Sequence, residues 1–172
     1  MSEPALMHDR LPPVGIEPLA LRRASSAFPT GVTIVSTVTA DGAPCGLTVN
    51  SFTTVSLDPP LVAWSLKTTS PSLGHFDGAE AGSISILAQD QAELAMKFAT
   101  PLPDKFDGVA HSACPRGVPI IDGCLAHFEC SPWSRVEAGD HILYIWRVDH
   151  VHLNELGSPL TFHAGGFRQL LT

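Results

Sequence analysis

Three small polar side chains interrupt an otherwise apolar strand early in the chain. They are Thr48, Asn50 and Ser51, within the sequence GLTVNSF at residues 46–52. Because alternate residues of a strand project to one face, Thr48 and Asn50 are expected to point the same way. Buried hydroxyl and amide groups need hydrogen-bond partners, which the ring carbonyls or phosphate oxygens of a ligand would supply. A strand end with ordinary hydroxyl-to-backbone bonds explains the same residues equally well.

A second polar group follows the next apolar strand and combines hydroxyls with one ammonium. Its members are Ser65, Lys67, Ser70 and Ser72. The pattern predicts a short helix to about Phe76, with Ser70 at the N-cap and Pro71 at N1. Free N–H groups at a helix start attract phosphate, so the group is a candidate anion site. The alternative is a well-capped helix after a strand.

Histidines offer two further candidates. His141 follows the turn Gly139-Asp140, where it could donate to a planar ligand or stack beside it, although a solvent histidine after a turn is the simpler interpretation. His150 and His152 lie two residues apart on a predicted strand and could share a metal ion. That spacing is more typical of exposed strand histidines.

The sequence lacks the motifs of several common enzyme classes. It contains no GxGxxG, GxxxxGK[ST], HExxH or GxSxG. The net charge of −7 argues against a nucleic-acid-binding protein, which normally carries a basic face. It remains compatible with an anionic small ligand that is held by a few local donors.

The length and composition predict one domain with more apolar residues than its core needs. Of the 172 residues, 44% are hydrophobic and 16% are charged, which suggests a buried subunit interface. No apolar run approaches the roughly 18–20 residues that span a bilayer, and no secretory signal is visible. The four cysteines form no CxxC pair, so reduced thiols in the cytoplasm are expected. They are Cys45, Cys114, Cys124 and Cys130.

The elements that would position these groups are mostly short strands. We predict a flexible arm over residues 1–16, a domain over 17–172, and an irregular segment over 100–118 that could be a lid or an interface. Helices are predicted over 17–28, over 70–76, and over 91–99 with Asp90 as its cap. Strands are predicted over 32–38, 44–50, 52–57, 61–66, 83–88, within 119–132, over 141–152 and in the tail at 159–167. The run 61–66 is expected to be central. This pattern favours a mainly β, antiparallel, closed or partly closed barrel.

Several of these segments, taken in order, resemble a known family. The segments are FPTGVTIVST, DG, GxTxNSF, SLDPPLV, SxS, QxxLAxxFA and GDH. Their order and spacing resemble the short-chain flavin reductases, the reductase components of two-component flavin-dependent monooxygenases. The resemblance covers about residues 20–168.

The resemblance implies an FMN-binding split barrel that forms a homodimer, with two flavin sites at the interface. Such enzymes transfer a hydride from NADH or NADPH to FMN (or FAD), and the reduced flavin leaves for a partner monooxygenase. The matching positions imply flavin contacts from Thr30, Val32, Thr48, Val49, Asn50 and Ser51, and phosphate contacts from Ser65, Lys67, Ser70 and Ser72. The resemblance also implies that His141 lies near the nicotinamide and that Phe167 reaches a site in either subunit.

The chain departs from the family pattern in two places. Trp146 stands where the family usually has a small residue, and the tail from Phe162 to Phe167 replaces a tyrosine-rich one. Both departures bear on the pyridine-nucleotide subsite. Three other functions remain open: a flavoprotein that keeps its flavin and reduces another acceptor, a flavin-binding module without turnover, and a metal-dependent enzyme built on His150 and His152.

Overall fold

The computed structural model describes residues 15–154 and 157–170. The arm expected over 1–16 therefore lies almost wholly outside the described residues. The helices are α1 (Pro18–Ser25), α2 (Leu73–Asp77) and α3 (Ala92–Ala99). The strands are β1 (Thr30–Gly31), β2 (Thr33–Val38), β3 (Pro44–Val49), β4 (Thr53–Leu57), β5 (Pro60–Lys67), β6 (Gly82–Ile86), β7 (His111–Ala113), β8 (Pro119–Ile121), β9 (Ala126–Ala138), β10 (His141–Leu153), β11 (Thr161–His163) and β12 (Gly166–Arg168). None of the helices in these two stretches is long and apolar enough to cross a membrane.

Seven strands form one antiparallel sheet in the order β3-β2-β6-β9-β10-β5-β4. The mainly β, antiparallel prediction with a few short helices is confirmed. The two edge strands, β3 and β4, are consecutive in the chain and are joined by residues 50–52. The ladders found over the described residues do not pair these edges with each other. We call this gap the seam, and it contains Asn50 and Ser51.

Aromatic side chains fill the core between β5, β10 and α2. Trp64 stacks on Tyr144 with ring centroids 4.6 Å apart and meets Phe76 edge-on at 5.0 Å. A second cluster packs α3 against β2, with Phe98 edge-on to Phe106 at 4.9 Å. Rings of this size bury large apolar areas. The two clusters therefore stabilise the strands on either side of the seam.

The helices α2 and α3 begin later than predicted, because a turn precedes the first helical residue of each. The Ser70 hydroxyl accepts a hydrogen bond from the Ser72 N–H at 3.3 Å, and the Ser70 carbonyl accepts one from the Leu73 N–H. Ser70 and Pro71 therefore belong to a turn, and Ser72 is the N-cap of α2. Gln91, not Asp90, is the N-cap of α3, because a turn closed by the Gln91 N–H on the Ala88 carbonyl precedes the helix.

Two other assignments also change. The predicted central strand, β5, lies second from the edge of the sheet, between β10 and β4. The expected irregular segment over 100–118 contains β7, which pairs with β8, and its Phe106 is only 5% exposed. That segment is therefore fastened to the second core cluster.

Candidate functional site

A cavity of about 340 Å³ opens at the seam, and we call it the polar cavity. It is formed by the end of β3, the end of β5 with the turn that follows, and the start of β10. Lys67 and His141 are directly paired in the register of β5 and β10. Eight of the predicted site residues line it: Thr48, Val49, Asn50, Ser51, Ser65, Lys67, Ser70 and His141. Both polar groups of the sequence thus meet at one place.

A larger cavity of about 790 Å³ adjoins the first, and we call it the outer cavity. The two share Asn50 and Ser51, so they lie side by side at the seam, and together we call them the groove. Aromatic rings from three separate parts of the chain line the outer cavity, namely Phe28, Phe52 and Phe162. A groove with an aromatic end and a hydroxyl-rich, cationic end suits a ligand that is planar at one end and anionic at the other.

Thr30 carries an unsatisfied polar atom at the outer cavity. Its hydroxyl oxygen is buried and has no hydrogen-bond partner among the described residues, and the residue lines the cavity. A buried hydroxyl without a partner is costly. The oxygen has almost no accessible surface, so a small rotation of the side chain toward the cavity would be needed before a ligand atom could form the missing hydrogen bond and remove this cost.

The side chain of Ser51, one of the predicted site residues, connects the two sides of the seam. The Ser65 N–H donates to the Ser51 hydroxyl oxygen at 2.9 Å, which ties residues 50–52 to β5. The Thr48 hydroxyl donates to the Ala95 carbonyl at 2.6 Å. Thr48 therefore shapes the cavity wall, while its hydroxyl is already occupied by α3.

The cationic end of the polar cavity lies at Lys67. No ion pair of Lys67 occurs within the described residues. The neighbouring Asp140 carboxylate forms a hydrogen bond with His141 Nδ1 at 2.8 Å. That bond lowers the pKa of Asp140, and the Lys67 charge lowers it further. Because Asp140 is directed to His141, the Lys67 ammonium is available to an anion.

Three of the predicted site residues lie outside the groove. Val32 is 1% exposed and packs in the second core cluster, so its side chain cannot contact a ligand. Phe167 packs edge-on against Phe162 at 5.8 Å and lines neither cavity. Ser72 lines two other cavities, of about 430 Å³ and 150 Å³, and neither cavity of the groove.

Trp146 does not lie in the groove, so its departure from the family pattern does not alter that wall. It is 1% exposed and meets Trp64 edge-on at 5.1 Å. Trp146 therefore belongs to the core.

The histidines of the metal hypothesis remain at the surface. His152 stacks on His127 with ring centroids 5.2 Å apart. Across the described parts of the chain, no group of three or more His, Cys, Asp or Glu residues is arranged to hold a metal ion. The structure adds no third ligand to His150 and His152.

No sequence motif predicted that α1 would border the site. Leu21 and Arg22 line the outer cavity, although no residue of α1 is buried. The apolar stripe of this helix was a signal that could have indicated this position, because its side chains are not buried in the core. Leu19 is 59% exposed and Leu21 is 58% exposed.

Comparisons with known proteins agree with this geometry. The model of the flavin reductase like domain matches residues 25–171. The reductase subunit Stc3 of stachydrine N-demethylase from Rhizobium meliloti is 40% identical over 151 residues, which are 88% of this chain and 65% of that protein. The FMN reductase (NADH) SmoA of Agrobacterium fabrum is 41% identical over 155 residues, or 90% of this chain and 87% of that protein. The chain thus spans somewhat less than two thirds of the first relative and most of the second.

Solved structures share the fold at similar identity. The NADH:FAD oxidoreductase SgcE6 of Streptomyces globisporus, in complex with NAD and FAD fragments, is 33% identical with a TM-score of 0.85, and the match covers 89% of this chain and 92% of that one. The flavin reductase PheA2 is 35% identical with a TM-score of 0.84, covering 91% of this chain and 100% of that one. With a matching domain model over most of its length, the chain belongs to the flavin reductase-like domain family.

Proposed function

We propose that the chain is an NADH-dependent flavin reductase that supplies reduced flavin to a partner flavin-dependent monooxygenase. The observation that carries the proposal is the pair of adjoining cavities at the seam, with hydroxyl, amide and ammonium groups in one and aromatic rings in the other. Relatives named NADH-dependent flavin reductase and flavin-dependent monooxygenase, reductase subunit, support both halves of it.

The two cavities would bind different parts of the flavin. Lys67, Ser65 and Ser70 would hold the flavin phosphate, and Asn50 and Ser51 would orient the ring and its side chain at the shared wall. Bound flavin supplies the hydride acceptor for the nicotinamide of NADH. Reaction between two planar rings depends on their alignment and on the exclusion of water, which the rings of Phe28, Phe52 and Phe162 would provide.

An exposed groove suits a flavin that must leave after reduction. Asn50 and Ser51 are both exposed at the seam, so the ligand would be held by a few contacts at an open surface. A flavoprotein that keeps its flavin would be expected to enclose it more fully. We therefore propose flavin as a dissociable partner in turnover.

A homodimer is part of the proposal. Apolar side chains stand exposed around the outer cavity, including Phe28, which is 74% exposed, and Leu21. A second copy that covers this surface would complete the groove and exclude water from it. A reducing cytoplasm is also proposed, supported by four cysteines that are free thiols in the structure.

The direct test is steady-state oxidation of NADH by the purified protein with added FMN. We expect the absorbance of NADH to fall only when flavin is present, and reduced flavin to reach an added monooxygenase component. Tight flavin binding without oxidation of NADH or NADPH would indicate a binding module instead. A yellow protein that keeps its flavin through gel filtration would indicate an enzyme with another acceptor.

Replacing Thr30 by valine should weaken flavin binding without lowering the stability of the free protein. Valine keeps the shape of threonine but removes the unpartnered hydroxyl, so the free protein should be unchanged or slightly more stable. Flavin binding should weaken by about 1 kcal/mol because a hydrogen bond is lost. Thermal denaturation and calorimetric titration with FMN measure the two effects. A stability loss with unchanged FMN affinity would assign the hydroxyl a purely structural role.

Replacing His141 by alanine should raise the KM for NADH more than the KM for flavin. The imidazole lines the polar cavity and is held by Asp140, so it could position the pyridine nucleotide. Steady-state kinetics with each substrate varied in turn measure both constants. A larger change in the KM for flavin would reassign His141 to the flavin phosphate, beside its register partner Lys67.

A further inference from the structure

The outer cavity has a single cation in its wall. Among the described residues that line it, Arg22 of α1 is the only one with a charged side chain. The other lining residues carry apolar, hydroxyl or amide side chains. With a volume of about 790 Å³ against about 340 Å³, the outer cavity is also much larger than the polar cavity. An anionic group that enters it therefore has one position at which a charged partner is available.

The guanidinium of Arg22 is not engaged by a carboxylate. The ion pairs found over residues 15–154 and 157–170 do not include it, and the residue is exposed. A guanidinium presents five N–H donors in a planar fork, which matches the oxygens of a phosphate group in a bidentate arrangement. Arg22 can thus bind a phosphate without first breaking an ion pair of the folded chain.

The attachment of α1 to the domain determines which of its arginines meets the cavity. The Ser26 carbonyl accepts a hydrogen bond from the Ala164 N–H at 3.1 Å, which ties the end of α1 to the turn between β11 and β12. Residues three positions apart share one face of a helix. Arg22 and Ser25 accordingly both line the outer cavity, whereas the neighbouring Arg23 does not.

The proposed reaction brings together two anionic ligands. Lys67 lines the polar cavity and not the outer one, and Arg22 lines the outer cavity and not the polar one. If Lys67 holds the flavin phosphate, the diphosphate of NADH requires a different cation while its nicotinamide lies against the flavin ring. The net charge of −7 disfavours the approach of any anion, which increases the importance of a local positive charge.

We infer that Arg22 binds the diphosphate of NADH at the outer cavity. The inference rests on the proposed function, since it requires flavin in the groove and NADH as the reductant. It adds a residue of α1 to the pyridine-nucleotide site, although α1 contributes nothing to the buried core. The hydroxyl of Ser25, on the same face of the helix, provides a further donor for the phosphate oxygens.

A binding experiment compares Arg22→Gln with Arg23→Gln, which is the matched control on the same helix. Calorimetric titration of the FMN-loaded protein with NAD⁺, which carries the same diphosphate, measures affinity without turnover. Arg22→Gln should raise the Kd for NAD⁺ about threefold to fivefold, the size expected for the loss of one exposed charge contact. Arg23→Gln should leave this Kd unchanged. Arg22→Lys should retain part of the affinity, because it keeps the charge and loses the planar fork.

A second reductant identifies the group that Arg22 contacts. The N-benzyl derivative of dihydronicotinamide donates the same hydride and carries no phosphate. Arg22→Gln should therefore lower kcat/KM for NADH and leave kcat/KM for this derivative and the KM for FMN unchanged. Added salt should raise the KM for NADH less in Arg22→Gln than in the wild-type protein, since screening acts on the contact that the variant lacks.

Three results would overturn the inference and leave the flavin reductase function intact. They are an unchanged Kd for NAD⁺ in Arg22→Gln, an equal loss of kcat/KM with both reductants, and a rise in the KM for FMN that exceeds the rise for NADH. The last result would assign Arg22 to the flavin. A wild-type protein that oxidises neither reductant with any flavin would instead contradict the proposed function itself.

Discussion

Replacing Asn50 by alanine is expected to weaken FMN binding by about 1–3 kcal/mol, a change of roughly fivefold to more than a hundredfold in Kd. Asn50 is one of two residues shared by the polar and outer cavities, so a ligand that spans both must pass its side chain. The amide both donates and accepts, and it forms no hydrogen bond within the described part of the protein that would be lost in the free state. The substitution should therefore lower the affinity for FMN and leave the stability of the free protein unchanged.

Calorimetric titration with FMN, beside thermal denaturation of the free protein, measures these two quantities. Gln89→Ala is the matched control, because Gln89 is an exposed amide that lines none of the cavities at the seam. Asn50→Asp keeps the shape and an acceptor but loses the donor, so it should also weaken binding. Unchanged FMN affinity in both Asn50 variants would show that the amide faces away from the ligand.

Local sequence signals placed the strands well because their causes are local. The β-branched run at residues 32–38 and the Asp41-Gly42 turn predicted β2 and β3, and Gly42 adopts the positive φ of +83° that such a turn requires. The polar cluster at Thr48, Asn50 and Ser51 also lies together in the structure, at the wall of the polar cavity. Three polar residues at one strand end stand out against the apolar pattern that a buried strand requires.

The helix starts and the position of β5 depended on contacts that local patterns do not contain. Ser70 was a reasonable N-cap, but its hydroxyl closes a turn on Ser72 before the helix begins. An apolar run such as 61–66 indicates burial without saying which strands flank it. Its position next to the edge follows from the long β9–β10 hairpin, which pairs with β5 across the whole run.

Local patterns also did not distinguish which predicted site residues of the FPTGV segment line the outer cavity. Val32 and Thr30 both lie in the FPTGV segment, yet one packs in the core and the other lines the outer cavity with an unpartnered hydroxyl. Which of them faces a ligand depends on the short strand β1, paired with β11 more than 130 residues later.

Replacing Gly82 by alanine is expected to destabilise the fold by about 3 kcal/mol, the upper part of the usual range for overpacking a core. A Cβ atom at Gly82 would lie 2.2 Å from the Trp146 ring, and that ring is 1% exposed and held edge-on against Trp64. The buried indole has little room to move, so β6 would have to shift away from the ring. The large side chain of Trp146 thus requires glycine at the facing position.

Chemical denaturation of Gly82→Ala and of the control Gly74→Ala measures the effect. Gly74 lies in α2 and has no atom within 4 Å of an added Cβ, so alanine there should be neutral or stabilise the protein slightly. Trp146→Leu alone should also destabilise, since it leaves a cavity. The double variant Gly82→Ala/Trp146→Leu should lose less than the two single losses combined, because leucine makes room for the new methyl group. Strict additivity would contradict a direct clash between these two positions, and would mean that the large residue in β10 is tolerated for a reason other than the glycine opposite it.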